Sequence, residues 1–163
     1  MIWLLLRCAV FDKELKDHRV GIHVELTSEL PLVMGHRGQL LEVMINLIQN
    51  AVEAMTTADA VRRELQVRTE RHGGNAIKIM IADTGPGIDQ KKSDEMFQAF
   101  FTTKSQGMGL GLAICRMIVE RHGGQLLVST ANPHGAIFEM ILPQLKPVSP
   151  KQAIRRAVAP TKG

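Results

Sequence analysis

The sequence is poor in aromatic residues and in cysteine, and it has no long apolar run. It contains five Phe, one Trp and no Tyr, so aliphatic and methionine side chains must fill most of the interior. Cys8 and Cys115 provide neither a disulfide framework nor the paired spacing of a zinc site, and Cys115 reads as a buried thiol. The apolar start, residues 1–6, is far shorter than the roughly 20 residues that span a bilayer. No small-residue cleavage site follows it, so a signal peptide is not expected.

Charge is unevenly distributed along the sequence. The chain carries 20 Lys and Arg residues against 16 Asp and Glu residues, a net charge of +4. Residues 144–163 contain no acidic residue and five basic ones: Lys146, Lys151, Arg155, Arg156 and Lys162. The remaining chain is nearly neutral, which argues against a nucleic-acid-binding surface on its body. We predict a basic, disordered tail over residues 144–163.

Hydrophobic periodicity predicts strands and helices in a single domain, which suits a chain of 163 residues. Strand periodicity appears over residues 20–26, 65–69, 77–82, 126–128 and 136–142, and helical periodicity over residues 37–55 and 110–122. Residues 2–18 read as a helix or a helical remnant. The order of these elements predicts an α+β fold, a two-layer α/β sandwich with a mixed, mostly antiparallel sheet and helices on one face.

Two glycine-rich loops are the main functional signal. Residues 83–88 (Asp-Thr-Gly-Pro-Gly-Ile) follow a predicted strand, and residues 107–112 (Gly-Met-Gly-Leu-Gly-Leu) open a predicted helix. A glycine loop at a helix start presents free N–H groups to phosphate. Asp83 could accept a hydrogen bond from the exocyclic amine of adenine, with Gly85 and Gly87 letting the backbone pass close to the base. Asp83 could instead cap a turn, as Asp before Thr-Gly often does.

The predicted helix over residues 37–55 carries a second, polar stripe beside its apolar face. Its members step by three or four residues: Gln39, Glu42, Asn46, Asn50 and Glu53. A solvated face is one interpretation. Two Asn residues one turn apart favour another, because Asn is a mediocre helix former and its carboxamide oxygen can ligate Mg²⁺.

The charged, glycine-ended segment 89–109 has the character of a mobile lid. Thr102, Thr103 and Lys104 could reach terminal phosphates from it. Phe97, Phe100 and Phe101 are expected to anchor it on the body of the domain. The alternative is an exposed loop with a small aromatic cluster.

Together, these segments resemble the four sequence boxes of the catalytic ATP-binding domain of two-component sensor histidine kinases, in the superfamily that includes gyrase and mismatch-repair ATPases. Residues 46–55 are similar to its asparagine box and residues 83–88 to its first glycine box. Residues 97–104 resemble its phenylalanine box and residues 107–112 its second glycine box. The resemblance covers residues 20–143 and implies a Bergerat-type ATP-binding fold.

The resemblance implies that ATP and Mg²⁺ bind beneath a flexible lid and that the γ-phosphoryl group passes to a histidine. It makes Asn50 the Mg²⁺ ligand with Asn46 in support, and it gives Asn46, Asn50 and Lys104 catalytic roles. The implied nucleotide-binding residues are Asn46, Asn50, Glu53, Asp83, Gly85, Gly87, Ile88, Thr102, Thr103, Lys104, Gly107, Gly109, Leu110, Gly111 and Leu112. Members of the superfamily that hydrolyse ATP carry a water-activating glutamate where this chain has Asn46, so the resemblance favours phosphotransfer.

Four positions depart from the family pattern. His36 stands where Asp is frequent, Glu42 where Gln is frequent, and Ala99 where Pro is frequent. Ile137 occupies a position where many members have a Thr that helps to hold adenine. This last departure is expected to weaken the affinity for ATP.

The phosphoacceptor histidine of the family lies on a helical dimerisation domain and is typically followed by an acidic residue. None of the six histidines here has that context: His18, His23, His36, His72, His122 and His134. The resemblance therefore implies an acceptor domain supplied in cis by a longer protein or in trans. Residues 1–19 would be a linker or a remnant of that domain.

A response-regulator receiver domain is the downstream partner that the resemblance implies, and we expect no contact with nucleic acid or membrane. The domain would be cytoplasmic, alone or as part of a membrane-bound sensor. Two alternatives remain at this point. One is an ATPase module of the superfamily, and the other is a nucleotide-binding regulatory module without catalysis.

Overall fold

The described part of the chain forms five strands and two long helices. The structure is a computed structural model that describes residues 15–58, 62–101 and 108–145. The predictions for residues 1–14 and for most of the tail therefore lie outside the described residues. The elements, in chain order, are β1 (Gly21–Leu26), α1 (Arg37–Thr57), β2 (Glu64–His72), β3 (Ala76–Asp83), two 3-10 turns (Gln90–Lys92 and Glu95–Phe97), α2 (Gly111–Arg121), β4 (Gln125–Thr130) and β5 (Ala136–Pro143).

The strands form one sheet in the order β1-β2-β3-β5-β4. β1 runs parallel to β2, and the other neighbouring strands are antiparallel. α1 and α2 pack against each other and against the sheet. The predicted two-layer α/β sandwich with a mostly antiparallel sheet is confirmed.

The core lies between the helices and one face of the sheet. α1 buries the apolar face that its periodicity predicts: Leu40, Val43, Met44, Leu47, Ile48, Ala51, Val52 and Met55. Alternate residues of the inner strands meet it: Leu65, Val67, Ile77, Ile79, Ile81, Phe138, Met140 and Leu142. Fully burying one such side chain contributes about 1.5–3 kcal/mol, so α1 is fixed firmly on the sheet. Cys115 belongs to this core, and burial raises the pKa of its thiol to about 12.

The other face of the sheet is open and carries charged side chains. Nζ of Lys78 lies 2.8 Å from Glu70 and 2.9 Å from Glu139 on the neighbouring strands. The hydrogen bond from Lys78 lowers the pKa of Glu70 and the same contact raises the pKa of Lys78. This ion ladder indicates that the open face is solvated.

The start of α1 is tied to the end of α2 by a histidine. The backbone N–H of His36 donates to Nε2 of His122 at 2.9 Å, and Nδ1 of His122 lies 2.7 Å from the carbonyl oxygen of Ile118. His122 therefore links the cap of one helix to the last turn of the other. Within residues 15–58, 62–101 and 108–145, no helix combines the length and apolarity that crossing a bilayer requires.

Candidate functional site

Asp83, the last residue of β3, is a buried acid in a largely apolar setting, only 5% exposed. Its Oδ1 accepts hydrogen bonds from the backbone N–H of Gly85 at 2.8 Å and from that of Ala136 at 3.3 Å. Burial raises the pKa of this carboxyl, and the two hydrogen bonds oppose the shift only in part. The hydrogen bond between Asp83 and Gly85 is the turn contact that the sequence suggested as an alternative. Asp83 also accepts a hydrogen bond from Ala136, at the start of the distant strand β5.

The loop before β5 packs closely on the backbone of Asp83. Gly135 has a φ of +113°, and a Cβ there would overlap the carbonyl oxygen of Asp83. A Cβ at Gly87 would in turn lie 3.0 Å from the carbonyl oxygen of Gly135. Neither Gly135 nor Ala136 was among the residues predicted for the site. The glycine in the turn before the last strand was the available signal.

Ile137 does not share the face of the sheet that carries the Asp83 side chain. Ile137 pairs with Ala82 across β3 and β5, and side chains alternate between the two faces of a sheet. Its side chain therefore lies on the open face, while Ala136 is buried on the same face as Asp83. The expected effect of Ile137 on ATP affinity stays a prediction, and it could not arise from a direct contact between that side chain and Asp83.

The polar stripe of α1 supplies the second part of the site. Asn46 and Asn50 are half-buried, and Nδ2 of Asn50 donates to Oδ1 of Asn46 at 2.9 Å. This contact orients the two carboxamides relative to each other. Glu53, one turn further on, is exposed.

Two close contacts join α1 to the glycine loops. A Cβ at Gly85 would lie 3.4 Å from Cβ of Ala54 on α1. A Cβ at Gly111 would lie 2.9 Å from Nδ2 of Asn46. Asp83 and Gly85 thus pack near the end of α1, and Gly111 packs about two turns earlier, roughly 12 Å along the helix axis.

The start of α2 leaves its N–H groups without a side-chain cap. Leu110 occupies the N-cap position and makes no side-chain hydrogen bond, and the first turn has no acidic residue. Leu112 and Ile88 are partly buried against the core and fix the two loops to it. An uncapped helix start of this kind can bind an anion through its backbone N–H groups.

The anchoring role predicted for the phenylalanines holds for Phe97 and is wrong for Phe100. Phe97 is buried, and the guanidinium carbon of Arg116 lies 5.2 Å from its ring centroid. Phe100 is 77% exposed and has a φ of +69°, and its N–H donates to the carbonyl oxygen of Gly109 at 2.9 Å. This left-handed turn directs the Phe100 ring outward, while Phe101 is half-buried. Thr102, Thr103, Lys104 and Gly107 lie outside the described residues.

Two concavities flank these elements. One of about 320 Å³ is lined by His18, Gln49, Val52, Glu53 and Thr56. The other, of about 230 Å³, lies between Phe97, Arg116 and β4. Neither of these two concavities is lined by Asp83 or by Asn50, so the connection between these two residues rests on the contacts along α1.

The donor set fits a magnesium ion that depends on its nucleotide. Among the described residues, no three His, Cys, Asp or Glu side chains are grouped so as to hold a metal. Mg²⁺ commonly takes one or two protein oxygens and completes its shell with water and substrate phosphates. The Asn50 carboxamide beside an uncapped helix start is consistent with that mode.

Comparison with known proteins decides the family. Residues 35–146 match the family described as histidine kinase-, DNA gyrase B- and HSP90-like ATPase. The chain belongs to this family. It is 38% identical over 128 residues to the sensor protein FixL of Bradyrhizobium diazoefficiens. The catalytic domain of the histidine kinase ThkA has the same fold, with a TM-score of 0.75 and 27% identity over 88% of this chain and 91% of that one.

The domain is therefore the catalytic ATPase part of a histidine kinase. The match to FixL covers 78% of this chain and 25% of FixL. The match to full-length ShkA covers 92% of this chain and 31% of ShkA, with a TM-score of 0.75 and 26% identity. The chain thus spans a quarter to a third of these two relatives, and the rest of each relative has no counterpart in it.

We predict that Asp83→Asn stabilises the ligand-free domain at neutral pH. Asn keeps an Oδ1 for the N–H groups of Gly85 and Ala136, and it removes a buried charge. Because the pKa of Asp83 is raised in the fold, the folded state holds that proton more tightly than the unfolded chain does. The gain in the free energy of unfolding should therefore be present at pH 7.5 and shrink as the pH falls through the folded-state pKa.

Urea denaturation at a series of pH values measures this difference. Asp94→Asn is the matched control, because Asp94 is exposed and makes no side-chain capping bond, and it should change the unfolding free energy little at any pH. A loss of stability in Asp83→Asn at pH 7.5 would contradict the cost assigned to the buried charge.

Proposed function

We propose that this chain binds ATP with Mg²⁺ and transfers the γ-phosphoryl group to a histidine on a separate dimerisation domain, as part of two-component signal transduction. One observation carries the proposal. A buried carboxylate and an uncapped helix start lie at the two ends of one continuous wall, built from Asp83, Gly85, Ala54, Asn50, Asn46 and Gly111. Such a wall suits a ligand with an amine-bearing base at one end and phosphates at the other.

The base end selects adenine through the acceptor that Asp83 keeps available. Both backbone N–H groups donate to Oδ1 of Asp83. None of the described residues donates a hydrogen bond to its Oδ2. Oδ2 can accept a hydrogen bond from the N6 amine of adenine, whereas the O6 carbonyl of guanine would set two acceptors against each other. Gly85 and Gly87 keep side chains away from the plane of the base.

The phosphate end is formed by the loop and first turn of α2. Gly109 has a φ of +65° and Gly111 packs on Asn46, so the N–H groups of residues 110–112 can approach a phosphate without an obstructing side chain. In this proposal Gly107, Thr102, Thr103 and Lys104 complete the phosphate contacts. The crystal structure of full-length ShkA is a complex with AMPPNP, which supports a triphosphate ligand.

Asn50 would hold Mg²⁺ through its Oδ1, with Asn46 positioning it and Glu53 at the margin of the site. Mg²⁺ neutralises charge on the triphosphate when it is bound. Asn46 and Asn50 carry amides, which have no basic function at neutral pH. They can orient phosphate but cannot activate water, and this supports phosphotransfer over hydrolysis.

The alternative of a non-catalytic module is now less well supported. It rested in part on Ile137, whose side chain lies on the face of the sheet opposite Asp83. Ala136 donates its backbone N–H to Asp83 in that place. Both backbone hydrogen bonds to Asp83 are therefore present at the proposed adenine end.

An exposed apolar surface next to the phosphate end suits the acceptor domain. Phe100 and Met108 are 77% and 78% exposed, and Ile114 and Met117 on α2 are 37% and 50% exposed. Ile114 and Met117 are three residues apart and share one helix face. A helical domain could dock there with its histidine near the γ-phosphate. ThkA was crystallised with the response regulator TrrA, which supports a receiver domain as the later partner.

Asp83→Asn should also change nucleotide selectivity. Asn would keep Oδ1 on the two backbone N–H groups and would place an NH₂ group where Oδ2 stood. That donor opposes the N6 amine of adenine and suits the O6 carbonyl of guanine. We expect ATP affinity to fall by about tenfold or more, and the ratio of ATP to GTP affinity to fall further. Isothermal titration with both nucleotides measures this, and an unchanged ratio would contradict the role of Asp83.

Phosphotransfer is tested by mixing the chain with a separate helical acceptor domain and radiolabelled ATP–Mg²⁺. The acceptor should become labelled while the chain itself stays unlabelled. Asn50→Ala should reduce the rate on the order of 100-fold with an unchanged circular dichroism spectrum. Gln49→Ala, at an exposed neighbour on the same helix, should keep the wild-type rate.

Two other outcomes would redirect the assignment. Steady release of inorganic phosphate without an acceptor would identify an ATPase module. ATP binding without transfer to any acceptor domain, from wild-type protein that is fully folded, would identify a regulatory module.

Met117→Ser should reduce transfer to the acceptor by about tenfold and leave ATP affinity unchanged, because Met117 lies on the proposed docking surface. Leu127→Ser is the control, since Leu127 is also a partly exposed apolar residue, at 37%, but lies on β4. Equal effects of the two variants on transfer would argue against docking through α2.

A further inference from the structure

Glu42 is an exposed carboxylate on the polar stripe of α1, one turn before Asn46. Residues one turn apart are neighbours on a helix surface, so the two side chains leave α1 on the same side. Within the part of the chain that the structure describes, no residue forms a hydrogen bond or an ion pair with the Glu42 carboxylate. This charged group is therefore available to a partner.

Glu42 lies beside the middle of α2, because α1 and α2 run side by side in opposite directions. Asn46 meets the start of α2, where a Cβ at Gly111 would lie 2.9 Å from its Nδ2. The backbone N–H of His36 meets the end of α2 and donates to Nε2 of His122 at 2.9 Å. Glu42 falls between these two contacts along α1, so it must face α2 between its two ends.

The same part of α2 carries the exposed apolar residues proposed to dock the acceptor domain. The pKa of the Cys115 thiol is raised by burial and further by the negative charge of Glu42, which agrees with a short distance between Glu42 and the middle of α2. Ile114 and Met117 flank Cys115 and are 37% and 50% exposed. Glu42 therefore borders the docking surface on α2.

The direction of the nucleotide also leads to Glu42. In the proposed function the base lies near Ala54 and the phosphates near Asn46, so the triphosphate points toward the start of α1. Phosphoryl transfer needs the attacking and leaving atoms roughly in line, so the acceptor nitrogen must arrive from beyond the phosphate end. Glu42 lies in that direction, about 6 Å along the helix axis from Asn46.

An imidazole ring suits this spacing. One ring nitrogen attacks the phosphorus, and the other carries a proton on the far side of the ring. The ring together with one hydrogen bond of about 2.8 Å spans roughly one helical turn past the phosphate end. An ionised carboxylate only accepts hydrogen bonds, so a carboxylate at this place fixes the tautomer in which the attacking nitrogen has no proton.

We propose that Glu42 binds the acceptor histidine during phosphotransfer, with its carboxylate accepting a hydrogen bond from the ring N–H that does not attack. This inference rests on the proposed function. As the N–P bond forms, the bond between the γ-phosphorus and the bridging oxygen breaks, and ADP keeps the electron pair. The ring becomes positively charged, and the hydrogen bond to Glu42 becomes charge-assisted at that moment. The ring proton passes to water after the phosphorylated acceptor leaves.

Glu42→Gln tests this contact in the phosphotransfer assay with the separate helical acceptor domain and radiolabelled ATP–Mg²⁺. Gln keeps an acceptor oxygen and removes the charge. At pH 8 and saturating acceptor domain, we expect the single-turnover rate to fall about tenfold. The Kd for ATP, measured by isothermal titration, should stay unchanged because Glu42 lies beyond the phosphate end.

The pH profile separates a direct contact with the imidazole from a structural role. A carboxylate beside the ring raises the pKa of the bound acceptor imidazole, and only the neutral ring attacks. The wild-type rate should therefore begin to fall at a higher pH than the rate of Glu42→Gln, so the tenfold ratio should shrink between pH 8 and pH 6. Glu42→Asp keeps the charge on a shorter side chain and should show the wild-type profile at an intermediate rate.

Glu120→Gln is the matched control, because Glu120 is also an exposed carboxylate of this helix pair but bonds Arg116, on the flank of α2 that faces Phe97. It should keep the wild-type rate and profile. A wild-type rate in Glu42→Gln would overturn the role of Glu42. A reduced rate whose ratio to wild type is the same at every pH, or one that comes with weaker ATP binding, would overturn it too. Wild-type protein that binds ATP and labels no acceptor domain would instead contradict the proposed function, and this inference with it.

Discussion

The proposed site depends on a carboxylate that the fold buries and then holds with backbone groups alone. Asp83 loses hydration at the end of β3, which raises its pKa, and recovers only part of that cost from the N–H groups of Gly85 and Ala136. Backbone donors cannot rotate away as side chains can, so the acceptor is fixed in direction. The contact between Gly135 and the carbonyl of Asp83 has room only for a glycine. The fold thus carries a destabilising buried charge, which would be offset when the proposed adenine base binds.

α1 is the second constraint, because it sets the distance between the two ends of the wall. Its apolar face is fixed by the core, so the residues of its polar stripe also have fixed positions. Gly85 packs on Ala54 and Gly111 packs on Asn46, so a side chain at either glycine would push one end away from the helix. His122 links the start of α1 to the end of α2. The positions of the two glycine loops relative to each other follow from these helix contacts.

Most of the fold and part of the site could be predicted from the sequence. The period-two strands, the apolar face of α1 and the pairing of Asp83 with a glycine turn are local patterns, and the structure has them. The contact of Asp83 with Gly135 and Ala136 joins residues more than fifty positions apart, and no local pattern encodes it. Ile137 shows how accurately a strand residue must be positioned to predict its contacts, because a shift of one residue along a strand moves a side chain to the opposite face. Phe100 could not be placed because a left-handed backbone at a bulky residue is rare.

The same geometry explains why the proposed reaction should wait for a partner. Asn46 and Asn50 are hydrogen-bonded to each other, and neither amide can accept a proton from water, so neither would serve a bound triphosphate as a general base. An acceptor imidazole brings its own nucleophilic nitrogen and needs positioning more than activation. The exposed Met117 and Phe100 lie on the elements that flank the phosphate end, so the surface that captures the acceptor would also aim it. If the proposed docking is correct, coupling chemistry to it in this way would protect ATP from hydrolysis until the acceptor arrives.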